Sequence, residues 1–332
     1  MAPNPRKPTV ELHAHLGSSV DPAMLWSIAH QHGIKLPSKD YWDFEAMITM
    51  DKDEKNPNLN KMHYDFFYWT ELIQSSPEPI RNSVRSVIGG GYRASNIVLH
   101  ELRFNPMFRN RGGEKDLDHI IMSAIWGMQQ AQLEYPQVKA GLILMMDRML
   151  TFKQNEIILK KAIKYRRLGI VGVDVAGPQR KSFSMKRHAP LFRKAREAGL
   201  GVTIHTGEEG NIPEMRYVVR QIKPDRIGHG FLCTKDPALM RDIVKQNITL
   251  EMCPTSNLKN SVVRNIGDLR SIVRKYLQHK IKFTINTDGP EMYRTNILGE
   301  QQLLMHNRIL NQRQIDQCTK WAFEATFVRE TL

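Results

Sequence analysis

Two histidines near the start of the chain, His13 and His15, are the first residues whose types and spacing could do chemistry. They close a β-branched run, TVELHAH, which is typical of a strand over residues 9–15. Residues two apart on a strand point to the same face, so both imidazoles can bind one divalent metal ion. Two surface histidines with ordinary hydrogen bonds are the alternative that this pair alone leaves open.

Further candidate ligands stand at the ends of two other apolar runs. His205 closes the run 201–205, in IHTGEEG, and Asp288 follows the run 281–286, in INTDGP. Three neutral imidazoles and one carboxylate suit Zn²⁺, with Fe²⁺ or Mn²⁺ as alternatives. Such a site leaves a position for water, whose pKa falls from 15.7 to roughly 7 on a catalytic zinc.

Two more side chains near these ends could move protons. Glu208 lies three residues after His205, in a turn where a partly desolvated carboxyl group could donate a proton. Capping of the following helix explains Glu208 equally well. His229 lies between two glycines in RIGHG, which lets other groups approach it closely, and it is a reasonable partner for an activated water.

The elements that must position these residues alternate along the chain. Helical patterns at 185–198, 213–222 and 237–246 lie between short apolar runs. Alternation of this kind predicts a parallel sheet, and eight units favour the α/β class with a closed (β/α)₈ TIM barrel, in which the carboxyl ends of the strands share one face. The eight predicted strands are 9–15, 97–104, 141–146, 169–175, 201–205, 226–229, 248–251 and 281–286.

The first two predicted strands are too far apart for a single crossover helix. We therefore predict one hydrolase domain over 1–332, with a helical insertion at 21–93 that could form a lid over one end of the barrel. The polar stretch 51–61 is interpreted as an exposed loop within it. The aromatic cluster 66–69 (FFYW) is either helix core or the wall of a ligand pocket.

Composition excludes several classes of protein. The 332 residues are 41% hydrophobic and 25% charged, as in a globular chain, and carry a net charge of +14. No apolar run is long enough for a transmembrane helix, and the first residues lack the apolar segment of a secretory signal. Three scattered cysteines, Cys233, Cys253 and Cys318, favour a reducing, cytoplasmic location. The positive charge is typical of a protein that binds nucleic acid, an anionic membrane or a small anionic substrate, and it also fits a charge that serves solubility alone.

Six segments in a fixed order, HAHLG, GVDVAG, HTGEE, RIGHG, EMCPTSN and NTDGP, closely resemble the adenosine deaminase family of the amidohydrolase superfamily. The resemblance covers residue 10 to about residue 327. It implies a (β/α)₈ barrel with one metal ion, usually zinc, and hydrolytic deamination at C6 of an adenine ring with release of ammonia. By motif position the implied ligands are His13, His15, His205 and Asp288.

The same resemblance implies roles for the other motif residues. Glu208 would protonate the purine at N1, His229 would orient or deprotonate the attacking water, and Asp288 would take part in catalysis besides binding the metal. Asp174 would support its strand end. The positions expected to line the substrate are His15, Gly17, Gly177 (through its backbone), Arg180 and Gly289.

The sequence departs from the family pattern at three acidic places. Gly17 stands where the family's aspartate contacts the ribose 5′-hydroxyl, and Gly289 stands where its second aspartate contacts N7. Pro178 and Gln179 replace a further acidic pair, just before a basic run that begins at Arg180. Fewer carboxylates and more cations favour an anionic substrate. We therefore predict a ribose-modified adenosine derivative such as AMP, cyclic AMP or aminodeoxyfutalosine, with ordinary adenosine as the alternative.

Other classes of function have weaker support. A nucleic-acid-binding protein would account for the charge, but the usual motifs are missing, as is the P-C-x-x-C of polynucleotide deaminases. A hydrolase of esters or amides fits Glu208 less well, and a catalytically dead binding protein would not need all six chemistry-bearing residues. The expected partner is a small adenine nucleoside or nucleotide, with neither nucleic acid nor membrane.

Overall fold

The computed structural model describes residues 7–51, 66–110, 115–208 and 211–329. Eight parallel strands pair in chain order, and backbone hydrogen bonds of 2.8 Å join Asp288 N to His13 O and His15 N to Asp288 O, which closes the sheet. The predicted α/β class and (β/α)₈ barrel are therefore confirmed. The strands are β1 (Thr9–His15), β2 (Ile97–Phe104), β3 (Lys139–Asp147), β4 (Ile170–Ala176), β5 (Gly201–Thr206), β6 (Arg226–His229), β7 (Thr249–Met252) and β8 (Phe283–Ile285).

Helices surround the barrel, and their first residues explain where they begin. Thr151 and Asn311 form capping boxes, and Asp236 caps a helix whose first residue is a proline. The helices among the described residues are α1 (Pro22–Gln31), α2 (Tyr41–Ile48), α3 (Tyr68–Ile73), α4 (Pro77–Ser95), α5 (Leu117–Glu134), α6 (Phe152–Tyr165), α7 (Met185–Glu197), α8 (Ile212–Tyr217), α9 (Pro237–Lys245), α10 (Pro254–Lys259), α11 (Ile266–His279), α12 (Ile297–His306) and α13 (Gln312–Ala325).

The described parts of the segment between β1 and β2 are helical, consistent with the helical insertion predicted after the first strand. Its last helix, α4, packs against β2 and α5, as a helix of the barrel's outer ring does, so α1–α3 are the additional helices within the described parts of the segment. Most of the predicted loop 51–61 falls in 52–65, outside the described residues. The function of this segment as a lid stays a prediction.

The ends of the predicted elements differ from the structure by a few residues. The predicted helix 213–222 begins as α8 and continues over Val218–Ile222 as a π-helix. The predicted strand 281–286 is shortened to β8. Asn286 still donates its backbone N–H to Met252 O at 2.9 Å, and its side chain accepts a hydrogen bond from Leu12 N. No helix in the described parts of the chain is long and apolar enough to cross a membrane.

Candidate active site

The four residues singled out as metal ligands lie together at the carboxyl ends of β1, β5 and β8. His15 Nε2 is 3.1 Å from His205 Nε2, and Asp288 Oδ1 is 3.3 Å from His15 Nε2 and 3.5 Å from His13 Nε2. A register irregularity in β1 between Glu11 and Ala14 accompanies this arrangement. All four side chains are buried. The ligand atoms of His13, His15 and Asp288 lie within 4.8 Å of one another, and so do those of His13, His205 and His229, so the barrel gathers these side chains in one small region.

A buried carboxylate holds each of two imidazoles in place. His13 Nδ1 lies 2.6 Å from Glu251 Oε2, and His205 Nδ1 lies 2.9 Å from Asp174 Oδ2. A carboxylate can only accept here, so each Nδ1 carries a hydrogen and each Nε2 is the ring atom left to face the centre. Asp174, which was expected to support its own strand end, thus holds the His205 ring, and Glu251 was not anticipated.

The electrostatics keep two of these imidazoles neutral. Burial lowers the pKa of His205 to about 4, against the opposing effect of Asp174. Burial also lowers the pKa of His15 well below its usual value, and the neighbouring histidines add to the effect. Both side chains are therefore unprotonated at neutral pH, which is the state a metal ligand needs.

The donor set fits a metal ion. His13 Nε2 is buried and has no hydrogen-bond partner among the residues that the structure describes. Four ligands at ~2.0–2.1 Å from a tetrahedral zinc lie about 3.3 Å apart. Three separations agree with that spacing: 3.1 Å from His15 to His205, 3.3 Å from His15 to Asp288 and 3.5 Å from His13 to Asp288.

Two groups that could transfer protons border this centre. Glu208 Oε2 lies 3.7 Å from His229 Nε2, and the Asn257 side-chain nitrogen lies 3.0 Å from His229 Nδ1 and fixes the ring. His229 and Asp288 both have left-handed backbone, with φ of 62° and 66°. Such strain costs about 1–3 kcal/mol per residue and concentrates at functional sites.

Gly228 makes room for the imidazoles. A Cβ atom at this position would lie 3.0 Å from His13 Cε1 and 3.2 Å from His205 Cγ. We expect Gly228→Ala to shift both rings and to weaken zinc binding by about tenfold, as loss of an outer-shell contact does. Gly90→Ala is the control, because nothing lies within 4 Å of a Cβ there. Equal zinc affinities of the two variants in a chelator competition would contradict this explanation.

The cleft above the centre contains three of the five expected substrate positions. His15, Gly17 and Gly177 line it, whereas Arg180 and Gly289 are not among the described residues that do. A Cβ on Gly289 would instead meet the Ser18 hydroxyl. Lining residues that the sequence did not point to include Glu71, Arg103, Phe104, Asn105, Phe108, Arg109, Met145, Asp147, Arg148 and Tyr293.

The first two residues of the aromatic cluster 66–69 divide between the two predicted roles, packing in the core and lining a ligand pocket. Phe66 is buried in a small core cluster with Met50 and Met292. Phe67 lines the cleft, and its ring centroid lies 6.3 Å from that of His15. Gly17 is needed beneath it, because a Cβ there would lie 3.1 Å from the Phe67 ring.

Asp147, the last residue of β3, and Arg148, which follows it, line the cleft beside Gly177 and His205. Burial raises the pKa of Asp147 to about 7, and its carboxylate oxygens lie 2.7 Å from where a Gly177 Cβ would stand, so Gly177 must be a glycine. Arg148 donates to His205 O at 2.6 Å and to Glu214 at 2.9 Å. In sequence the pair is merely the polar end of an apolar run, so nothing local indicated this function.

A closed parallel barrel with three histidines and one aspartate at the carboxyl ends of its strands defines a metal-dependent hydrolase of the barrel type. The particular family follows from the sequence comparison: a family model described as adenosine deaminase matches residues 8–331. The chain belongs to the adenosine deaminase family, and it is a hydrolytic purine deaminase.

Individual relatives are distant but cover the whole chain. An adenosine deaminase of Shewanella denitrificans is 27% identical over 98% of this chain and 95% of its own, and one of Clostridium kluyveri is 28% identical over 96% and 89%. Among solved structures, an adenine deaminase of Arthrobacter aurescens has a TM-score of 0.84 at 18% identity, covering 97% of this chain and 94% of its own. The Arabidopsis protein ADAL, solved with GMP, has a TM-score of 0.82 at 22% identity, covering 97% and 93%. At these identities the structural likeness supports the fold.

Proposed function

We propose that this protein hydrolyses the 6-amino group of adenosine or an adenosine derivative and releases ammonia, with one Zn²⁺ held by His13, His15, His205 and Asp288. The observation that carries the proposal is the close approach of these donor atoms, 3.1 Å from His15 to His205, 3.3 Å from His15 to Asp288 and 3.5 Å from His13 to Asp288, beneath a cleft bordered by Glu208 and His229. A relative solved with bound zinc, a Burkholderia ambifaria amidohydrolase of 18% identity, favours zinc over Fe²⁺ or Mn²⁺.

The residues around the cleft divide the proton transfers between them. A bound metal ion would supply a water of lowered pKa, roughly 7 on zinc. Addition of water at C6 places electron density on N1, and Glu208 donates a proton there. His229, whose ring Asn257 fixes, accepts a proton from the attacking water and returns it to the 6-amino group, which leaves as ammonia when the C6–N bond breaks. Ser256 donates to Asp288 Oδ2 at 2.5 Å and so holds that carboxylate in one orientation.

We further propose that the substrate carries an anionic group on its ribose side, as AMP, cyclic AMP or aminodeoxyfutalosine does. Gly17 leaves the 5′ side without a carboxylate, and Phe67 and Arg109 line the same cleft. Arg109 is buried, with its guanidinium 3.0 Å from Asn105 O and 3.7 Å from Glu71. Arg148 adds a second buried cation to the lining. Structures of the relative ADAL with IMP and with GMP are consistent with a nucleotide.

The identity of the substrate is tested by measuring kcat/KM for ammonia release from adenosine, AMP, cyclic AMP and aminodeoxyfutalosine. We expect one of the three anionic compounds to exceed adenosine by at least tenfold. A clear preference for adenosine would identify an ordinary adenosine deaminase and overturn the anionic-substrate proposal, while leaving the deamination chemistry intact.

Arg109 is the residue whose replacement should separate anionic from neutral substrates. A hydrogen bond to a charged group contributes about 1.5–3 kcal/mol, so Arg109→Met should raise KM for the anionic substrate by roughly 10–100-fold. KM for adenosine should change by only a few-fold, and Arg109→Lys should retain part of the preference. Arg193→Met, at an exposed arginine of α7, is the control. Equal losses on both substrates would show that Arg109 supports the fold and does not bind the anion.

A further inference from the structure

The mouth of the barrel opposite the cleft is closed by residues 326–328, which we call the plug segment. Phe327 packs against Gly172 and Gly201, where any Cβ would collide with its ring, and Val328 packs against Gly141 in the same way. The Arg226 guanidinium lies 3.6 Å from the centroid of the Phe327 ring. Three strands of the barrel thus carry a glycine where the plug segment enters.

The plug segment is bonded to a carboxylate inside the barrel. Glu101 Oε1 accepts hydrogen bonds from Thr326 Oγ1 at 2.7 Å and from Phe327 N at 2.5 Å. Glu101 Oε2 accepts from Arg226 Nη2 at 2.5 Å, and Arg226 Nη1 donates to Ala325 O at 2.8 Å. Glu101 and Arg226 are fully buried, so the orientation of each depends on these contacts.

The contacts continue without a break to the active face. Arg226 Nε donates to Glu251 Oε1 at 2.6 Å, and Glu251 Oε2 accepts from His13 Nδ1 at 2.6 Å. The plug segment is therefore joined to the His13 imidazole of the candidate metal centre by three residues that we call the relay: Glu101, Arg226 and Glu251. Charges alternate along the relay, and Arg103 flanks Glu251 at 2.9 Å.

We infer that the plug segment positions His13, so that hydrogen bonds at one end of the barrel set the metal affinity at the other. The inference rests on the metal site of the proposed function. Without the Thr326 hydroxyl, the Glu101 carboxylate keeps two of its three hydrogen-bond donors. The carboxylate is then held less firmly in the orientation that bonds Arg226. Arg226 then bonds Glu251 differently, and Glu251 sets the orientation of His13. Outer-shell partners of this kind change metal affinity by 10–100-fold.

The test uses changes at the edge of the relay, because an unpaired charge at Arg226 or Glu251 could prevent folding. Thr326→Val removes the hydroxyl at nearly constant volume, and Thr326→Ser keeps it. Val328→Ala is the control, since its side chain packs in the same mouth against Gly141, while the change keeps the Thr326 hydroxyl and the backbone N–H that Val328 donates to it. Zinc dissociation constants are measured by chelator competition, together with the melting temperature of each metal-free protein.

We expect Thr326→Val to weaken zinc binding by about tenfold, and both Thr326→Ser and Val328→Ala to stay within about twofold of the parent. Parental zinc affinity in Thr326→Val would overturn the inference, even if its metal-free protein melted earlier, because the plug segment would then serve packing alone. Failure of the parent itself to bind zinc would overturn the proposed metal site, and the inference with it. The two failures are therefore distinguishable.

Discussion

Replacing Glu208 by glutamine is expected to lower kcat by about 10²–10⁴-fold, the usual contribution of a positioned proton donor. The amide has nearly the same shape as the carboxyl group but cannot donate an acidic proton to the purine ring. Glu208 is not one of the four converging donors, so zinc content should stay at one per chain. KM should change little, because the amide fills the same part of the cleft.

The measurement is steady-state kinetics of ammonia release, with metal content determined on the same preparations. Glu197→Gln, at an exposed glutamate on α7, is the matched control and should keep parental kcat. Binding of the hypoxanthine product to Glu208→Gln shows whether the cleft is intact. A kcat within a few-fold of the parent would remove Glu208 from the proposed mechanism. Loss of zinc would instead give it a part in the metal centre.

Replacing His205 by alanine should have the second large effect. This change removes one of the four donors and leaves Asp174 without its imidazole partner. Zinc affinity should fall by more than the roughly 10–100-fold that loss of an outer-shell partner costs, and kcat/KM by at least about 10³-fold. His279→Ala is the control, because that ring is exposed and bonds only Lys275 O among the described contacts. A variant that still binds one zinc per chain with parental affinity would exclude His205 as a ligand.

The sequence predicted the barrel and much of the site for one physical reason. In a parallel barrel every strand ends on the same face, so His13, His15, His205 and Asp288 had to meet once their runs were identified as strands. The predicted ends differ from those observed by one or two residues: β3 is longer than predicted, β7 is shifted by one residue and β8 is shorter. Strand ends follow the hydrogen bonds to neighbouring strands, which an apolar run does not specify.

The interior of the barrel could not be predicted in the same way. Glu101, Arg103 and Glu251 stand within apolar runs, where a charge is usually a residue facing solvent. In the structure they are fully buried and paired with one another or with Arg226. Coulombic contacts with Arg103 and Arg226 outweigh burial and hold the pKa of Glu251 well below its usual range. Such pairing joins strands far apart in sequence, so no local pattern indicates it.

The substrate side was the least predictable part. Arg109 follows β2 and Arg148 follows β3, and each reaches the cleft through the loop geometry rather than through a motif. The basic run that drew attention in the sequence starts at Arg180, which lies outside the described lining but still acts on the Asp147 carboxyl group. Gly17 lines the cleft, whereas a Cβ on Gly289 would meet the Ser18 hydroxyl, and contact of either position with the substrate stays a prediction.

The central claim is that one metal ion, held by three histidines and Asp288, supports hydrolysis of the adenine 6-amino group. The most direct test removes metal from the purified protein, restores zinc in steps, and measures ammonia release from adenosine, AMP, cyclic AMP and aminodeoxyfutalosine. We predict no release from the stripped protein and full activity at one zinc per chain, with a hypoxanthine-ring product. Release that does not depend on metal, or no ammonia from any of these compounds with zinc bound, would contradict the claim.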